Sequence, residues 1–224
     1  MTRAALLLAA ATLFVTPVAG PSAPFAVATI HFEQNVTDGD FEAVVEVMGG
    51  DAGLARLAVV APDGRTVIDV TAPAATTLGF RQLRFESPEP GDFTSLKAAY
   101  PEGVYTFTGT TATGARHQST ATLHHAFPPA AALLRPAARA RGVSVRDLIV
   151  TWTAVRNATA YVVTIEQPDL DVSITARLPG SVDRFTVPEG FLRPGTAYQL
   201  GIGTETGGGN SSFVETTFTT AEKE

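Results

Sequence analysis

The sequence predicts an all-β protein made of two sandwiches in tandem behind an amino-terminal leader. Three observations predict it. Short β-rich runs recur along most of the chain and are separated by turn residues, as in sandwich proteins. The 224 residues suffice for two domains of ordinary size. Near the middle, Phe127-Pro128-Pro129 cannot lie in a central strand and stiffens the chain, which suits an interdomain joint. The resulting division is a leader over 1–28, a first sandwich over 29–127 and a second over 128–221.

Met1-Thr2-Arg3 supplies one positive charge, Ala4–Val15 is uncharged and apolar, and small residues follow Pro17. That order is the pattern of a secretory signal peptide, and the run is too short to span a bilayer, which takes about 20 residues. Ala26-x-Ala28 fits the small-x-small rule for cleavage and would release a chain starting at Thr29. Cuts near Gly20 or Ala23 would leave a proline beside the scissile bond. The expected product is exported, periplasmic or secreted, with no membrane span.

Composition narrows function. With 45% hydrophobic and 17% charged residues, the chain is globular in character. A net charge of −6 offers nothing basic to nucleic acid or to an anionic membrane. The absence of cysteine removes disulfides, thiolate metal sites and a cysteine nucleophile, so hydrophobic cores must stabilise the fold. The richness in arginine and alanine is bacterial in style, and the sequons at Asn35, Asn157 and Asn210 then read as chance. The acidity is uneven: residues 29–127 hold 12 acidic and 6 basic groups, residues 128–224 hold 10 and 9.

In the first half, Val44–Val47 follows the turn Thr37–Asp40. Leu57–Ala61 and Arg65–Val70 flank Pro62-Asp63-Gly64, a hairpin signal because Asp-Gly tolerates positive φ. Phe80–Glu86 is a further strand, and Val104–Thr111 and Arg116–His125 form a second hairpin around Gly114. Asp92–Tyr100 reads as one short helix, capped by Asp92 and stopped by Pro101. Ala130–Arg141 reads as linker plus first edge strand, since Pro136 breaks a helix there.

In the second half the strands are Leu148–Trp152, Tyr161–Glu166, Ser173–Arg177, Arg184–Val187, Ala197–Thr204 and Phe213–Thr219. Trp152 ends the first of these, Tyr161 opens the next, and Leu192-Arg-Pro194-Gly195-Thr196-Ala-Tyr198 precedes the fifth. Together with the loop Gly207-Gly208-Gly209-Asn210-Ser211, these residues resemble a fibronectin type III domain. The resemblance implies that Trp152 and Tyr161 are core residues. It also implies that Tyr198 forms a tyrosine corner, its hydroxyl on the preceding turn, and that Leu192 plugs one end of the sandwich. The first half is similar to the immunoglobulin-like segment that precedes a fibronectin-like domain in some exported bacterial proteins. The residues that carry this are Thr37–Asp40, Pro101-Glu-Gly103-Val-Tyr105-Thr-Phe107 and His124. A fold in either half implies no activity.

The chain holds no nucleophile elbow, zinc-protease helix, phosphate loop or dinucleotide fingerprint. His31, between Ile30 and Phe32, should face away from them, toward solvent or a polar interface. His124 and His125 face opposite sides of a strand, and His124 is placed to hydrogen-bond backbone across the joint. Asp38 and Asp40 form the best acidic cluster. They are either calcium ligands or the residues of an Asx-type turn bonded to their own backbone; the spacing departs from an EF-hand at Ala43 and Gly49. Glu86, Glu89 and Asp92 share a Pro/Gly loop and are either solvated or a carboxylate pair for hydrolysis. Arg135, Arg139, Arg141 and Arg146 form the one basic concentration, either solvated or facing the acidic first half.

The function these readings support is a non-catalytic exported binding or spacer module contacting an envelope protein or a glycan, with no cofactor. A calcium-stabilised adhesion-like protein and a small carboxylate hydrolase are the alternatives.

Overall fold

The computed structural model describes residues 22–72, 79–89 and 92–222. The charged start and apolar run of the expected leader lie outside the described residues. In the first half the strands are β1 (Val27–Asn35), β2 (Asp40–Met48), β3 (Leu54–Val60), β4 (Thr66–Thr71) and β5 (Gln82–Glu86). Helix α1 (Phe93–Ala99), β6 (Gly103–Thr111) and β7 (Arg116–Leu123) complete it. The second half contributes β8 (Leu133–Arg135), β9 (Ala140–Val143), β10 (Ile149–Trp152) and β11 (Ala158–Gln167). It ends with β12 (Val172–Pro179), β13 (Arg184–Thr186), β14 (Ala197–Thr206) and β15 (Ser211–Thr220).

Each half folds around its own core. In the first, the sheet β4-β3-β6-β7 packs on β1, β2 and β5. Alternation decides what goes in: Tyr105 and Phe107 of β6 are fully buried, whereas Val104 just before them is exposed. The Tyr105 hydroxyl donates to the Pro101 carbonyl at 3.0 Å, anchoring the corner where the chain enters β6. Burial, with the charge of Asp63 adding to it, pushes that hydroxyl up to about 12. Helix α1 closes the joint end: Asp92 accepts from the amides of Thr94 and Ser95, and Leu96 enters the core. The hairpin at Pro62-Asp63-Gly64 forms, with Gly64 at φ +86°.

In the second half, β8-β10-β13 faces β12-β11-β14-β15. Trp152, Tyr161, Val163, Leu200, Ile202 and Phe218 fill the space between. Tyr198 is buried against Phe218, and its hydroxyl accepts from the Arg193 amide at 2.9 Å. Leu192 is buried beside it, and the Tyr161 hydroxyl accepts from the Val155 amide at 2.6 Å. The segment Ala130–Arg141 resolves into two strands, β8 and the start of β9, on either side of Pro136.

The two halves share one sheet. β1 pairs in parallel with β15, with Glu33, Gln34 and Asn35 opposite Ser211, Ser212 and Phe213. The path β12-β11-β14-β15-β1-β2-β5 therefore runs unbroken from one sandwich into the other, while β9 takes the rest of the same β15 edge. A set of buried polar bonds locks this seam. Asn210, 1% exposed, accepts from the Phe32 amide at 2.8 Å and donates to the carbonyls of His124 (2.7 Å) and Ala126 (3.0 Å). Ser212 donates to the Pro128 carbonyl at 2.6 Å and accepts from Gln34, and Thr204 accepts from the Ala131 amide. The double proline thus lies against a rigid seam.

Two expectations change at this point. The His124 imidazole makes no bond across the joint: its Nδ1 lies 3.6 Å from Glu102, and it is the His124 carbonyl that Asn210 holds. The neighbouring His125 ring reaches the Tyr100 carbonyl instead, at 2.9 Å. The boundary at residue 28 also falls inside the fold. Phe25 is buried in the first core, Ala23 bridges to His117, and β1 already begins at Val27.

Candidate functional site

The shared sheet has one face turned to the two cores and one left open. Strand alternation and register place Glu33 on the open face of β1, Glu42 and Glu46 on β2, and Arg84 and Glu86 on β5. The second half adds Ser211, Phe213 and Glu215 from β15, Glu205, Gly203 and Gly201 from β14, and Val162, Thr164 and Glu166 from β11. Of these, Glu33, Glu46, Arg84, Ser211, Phe213, Glu205, Val162 and Thr164 line a groove of about 850 Å³ that takes residues from both halves and is walled by Gly207–Gly209 and His124. A narrower extension of about 230 Å³ shares Glu33, Thr164 and Phe213 with it.

Glycine shapes the floor. A Cβ at Gly203 would stand 2.5 Å from the Phe213 ring, so the ring is laid flat across β14. At Gly201 a Cβ would collide with Thr164 Oγ1. One row of the register reads Glu205–Ser211–Glu33–Glu42 across four strands. Ser211 is 4% exposed, lines the groove, and its hydroxyl has no hydrogen-bond partner among the described residues. Its neighbours in the row are occupied: Glu205 takes both arms of Arg177, and Glu33 receives His31 Nε2 at 2.9 Å. His31 does face away from the core, into this polar network. Arg84 gathers Glu33, Glu46 and Glu86 at the other end.

The narrow extension is lined by Glu33, Glu42, Glu89, Glu166 and Glu215 and by no basic side chain. Glu33 would be raised by burial, but His31 and Arg84 hold it below the usual carboxylate range. Burial, followed by the charges of Glu33 and Glu86, pushes its cross-strand partner Glu42 up to about 7. Glu215 is raised by burial first, and by the charges of Asp38, Asp40 and Glu166, against a lowering bond from Asn35. The folded chain therefore keeps the Glu42 proton between its ordinary 4.5 and about 7, where the unfolded chain loses it. This contribution to stability is full below pH 4.5 and is lost as pH rises to 7. Replacing Glu42→Gln should raise stability at pH 8 by about 1 kcal/mol, discounted for partial exposure, and flatten the pH profile between these limits. Urea midpoints at pH 4.5 and 8 measure it, and an unchanged difference between the two would contradict the assignment.

The residues singled out in the sequence are placed as follows. The turn at Thr37–Asp40 is built on Asn35, not on Asp38 and Asp40: Asn35 Oδ1 accepts from the Thr37 and Asp38 amides, and Asn35 Nδ2 donates to Asp38. Asn35 closes the turn because it ends β1 and its carboxamide offers both acceptor and donor. Among the described residues no group of three or more His, Asp and Glu could hold a metal ion. The three carboxylates from the end of β5 onward go to three uses: Glu86 to Arg84, Glu89 to the narrow extension, Asp92 to the helix cap. Trp152, Tyr161, Leu192 and Tyr198 sit in the second core, away from the open face. Asn210, Ser211, Ser212 and Phe213 were not singled out individually for chemistry. Their signal was the polar Asn-Ser-Ser run entering a strand, which has no reason to be buried unless something pairs with that strand.

No protein-family model matches the chain, and no curated protein matches it. Among solved structures it is similar to a two-domain fibronectin type III segment from chicken tenascin, at 13% identity and TM-score 0.34, over 87% of this chain and 98% of that one. It is similar to the FN1–FN3 domains of chicken CNTN1 at 10% identity and TM-score 0.34, over 90% of this chain and 65% of that one. A third is the fibronectin(III)-like modules of Clostridium thermocellum CbhA, at 11% identity and TM-score 0.35, over 90% and 91%. Likeness at this level leaves the fold resting on its own strand pairing and its two cores. No helix among the described residues is long and apolar enough to cross a membrane.

Proposed function

We propose that the protein is an exported, non-catalytic binding module whose working surface is the open face of the shared sheet, and that its partner is a protein or glycan of the cell envelope. One observation carries this reading: a groove lined by both halves contains a buried hydroxyl, Ser211 Oγ, that no group among the described residues satisfies. A buried polar group left without a partner is costly, and a ligand that reaches it removes that cost. The seam at Asn210 serves the same reading, because fixing one half on the other holds the groove's two sides in one geometry. Apart from Ser211, the groove's central charges are already paired, Arg177 with Glu205 and Arg84 with three glutamates, which suits recognition by shape and charge.

The test is site-specific photocrosslinking in the intact envelope. Probes at Thr164 and Thr175 in the groove should capture the same partner, and Thr164→Arg in a folded chain should abolish capture from Thr175. A probe at Asp169, in the turn beyond β11, should stay silent. Capture from Asp169 alone, or capture indifferent to Thr164→Arg, would overturn the reading. Adding millimolar calcium to the same preparation shows whether Asp38 and Asp40 take an ion, through a rise in melting temperature.

A further inference from the structure

We infer that the groove receives an extended, lysine- and arginine-bearing segment of a partner protein, laid across the strands with its cationic side chains over the glutamate-lined extension. This rests on the reading above and goes further by naming the partner's chemistry. Charge complementarity comes first. The extension presents five glutamates and no basic side chain, and it shares Glu33, Thr164 and Phe213 with the larger groove, whose two arginines, Arg84 and Arg177, are paired with glutamates. A surface of one sign inside a concavity concentrates its field and selects the opposite sign. A polyanion, an acidic peptide or a sulfated glycan is repelled by the same carboxylates.

Ser211 is the second, independent observation. Its buried hydroxyl lies in register between Glu205, already paired with Arg177, and Glu33, already paired with Arg84. An incoming ammonium or guanidinium supplies N–H donors to the oxygen of that hydroxyl, and it does so beside carboxylates, where a donor is favoured over an acceptor. Shape agrees. From β11 across β14, β15 and β1 to β2 is four strand spacings, roughly 19 Å, which an extended segment of about six residues covers. In such a segment alternate side chains point to the same side, so basic residues at every second position would all face the sheet. Over β14 the floor is the Phe213 ring above Gly203 and Thr164 Oγ1 above Gly201, so the segment rests on these side chains.

Proton linkage gives the site a signature that a loose surface contact lacks. Glu42 faces Glu33 from β1 and Glu86 and Arg84 from β5, and it shares the extension with Glu89. A cation settling among these groups favours the ionised carboxylate and expels the retained proton.

The experiment uses the full chain and three probes: a ten-residue peptide of alternating Lys and Thr, the same peptide with Glu for Lys, and spermine. Binding is read by fluorescence anisotropy and by titration calorimetry at pH 6.5 in two buffers of different ionisation enthalpy. The lysine peptide should bind at low salt and weaken about tenfold or more when salt is raised to physiological strength. The glutamate peptide should not bind, and spermine should bind less tightly than the lysine peptide because it lacks the backbone to span the floor. Glu42→Gln with Glu215→Gln should weaken the lysine peptide by roughly tenfold and remove the buffer-dependent heat of proton release. Ser211→Ala should weaken it by roughly three- to tenfold. Thr164→Lys, which adds a cation to the groove, is a further variant should the double glutamine chain fold poorly, and it should abolish binding. Equal binding of the two peptides, spermine binding as tightly as the lysine peptide, or indifference to these variants would each overturn the proposal. If crosslinking from Thr164 and Thr175 succeeds while the lysine peptide fails, the binding-module reading stands and the cationic partner falls. If both fail, the reading itself falls.

Discussion

Replacing Asn210 with alanine is expected to destabilise the protein by about 3–4 kcal/mol and to split one unfolding transition into two. The side chain is buried at the seam and makes three bonds to backbone, one from Phe32 and two to the carbonyls of His124 and Ala126. Alanine leaves an amide and two carbonyls without partners, each costing roughly 1–3 kcal/mol when water cannot replace the lost bond fully. All the partners belong to the first half and its exit, whereas Asn210 enters the last strand of the second, so the loss falls on the coupling between the halves. Asn210→Asp should be no better, although it is nearly isosteric. Aspartate retains an acceptor for the Phe32 amide but turns a carboxylate oxygen toward two carbonyls that need donors. Ser212→Ala removes the bond to Pro128 and should cost about 1–2 kcal/mol in the same direction. Urea unfolding followed at Trp152, in the second core, and by circular dichroism over the whole chain reads both effects. Coincident curves with an unchanged midpoint for Asn210→Ala would show that the seam bears no weight.

A chain beginning at Thr29 should be less stable than one beginning at Ala23 by about 4 kcal/mol or more. Phe25 accounts for most of it. Its ring is buried, lies 5.3 Å from the His117 ring, and fills the space above Gly109, where a Cβ would stand 2.9 Å from it. Removing a buried phenylalanine side chain costs about 3–5 kcal/mol. The same cut takes away the Phe25 amide bond to Ser119, the bridge of Ala23 to β7 and the Ala26 amide bond to Met48. It also shortens β1, taking from Met48 and Val47 their β1 partners and leaving them paired with β5 alone. A leader that is removed must therefore be cut upstream of Ala23 if the product is to keep its core. Intact mass of the natural protein and the melting temperatures of the two shortened chains check this. A natural product beginning at Thr29 with undiminished stability would contradict it.

The parts of the fold legible in the sequence were those with local causes. Pro62-Asp63-Gly64 set a hairpin because two residues nearby needed a turn that only such a sequence makes without strain. Asp92 and Pro101 bounded α1 because capping and the missing proline amide act within a few positions. The seam has no local cause. β1 and β15 lie 178 residues apart at the bond between Asn210 and Phe32, and parallel pairing leaves no turn signature to betray it. Alternation showed that His31 faces away from Ile30 and Phe32, but not that Glu33 beside it would share a row with Ser211 and Glu205. For the same reason the acidic residues of the first half looked like a solvated surface, when the second half supplies the other bank of a groove. Asn210-Ser-Ser212 read only as a chance sequon at the end of the glycine loop, because its buried role depends wholly on what packs against it.

Residual dipolar couplings of backbone amides test the shared sheet most directly, since they report the orientation of each half in one molecule. A single alignment tensor should fit the couplings of β2, β3 and β6 together with those of β11 and β14, with Glu33, Asn35 and Phe213 on the same frame. Two tensors of different magnitude, each fitting its own half, would mean that the halves move as separate bodies, that β1 does not stay paired with β15, and that the groove has no fixed floor.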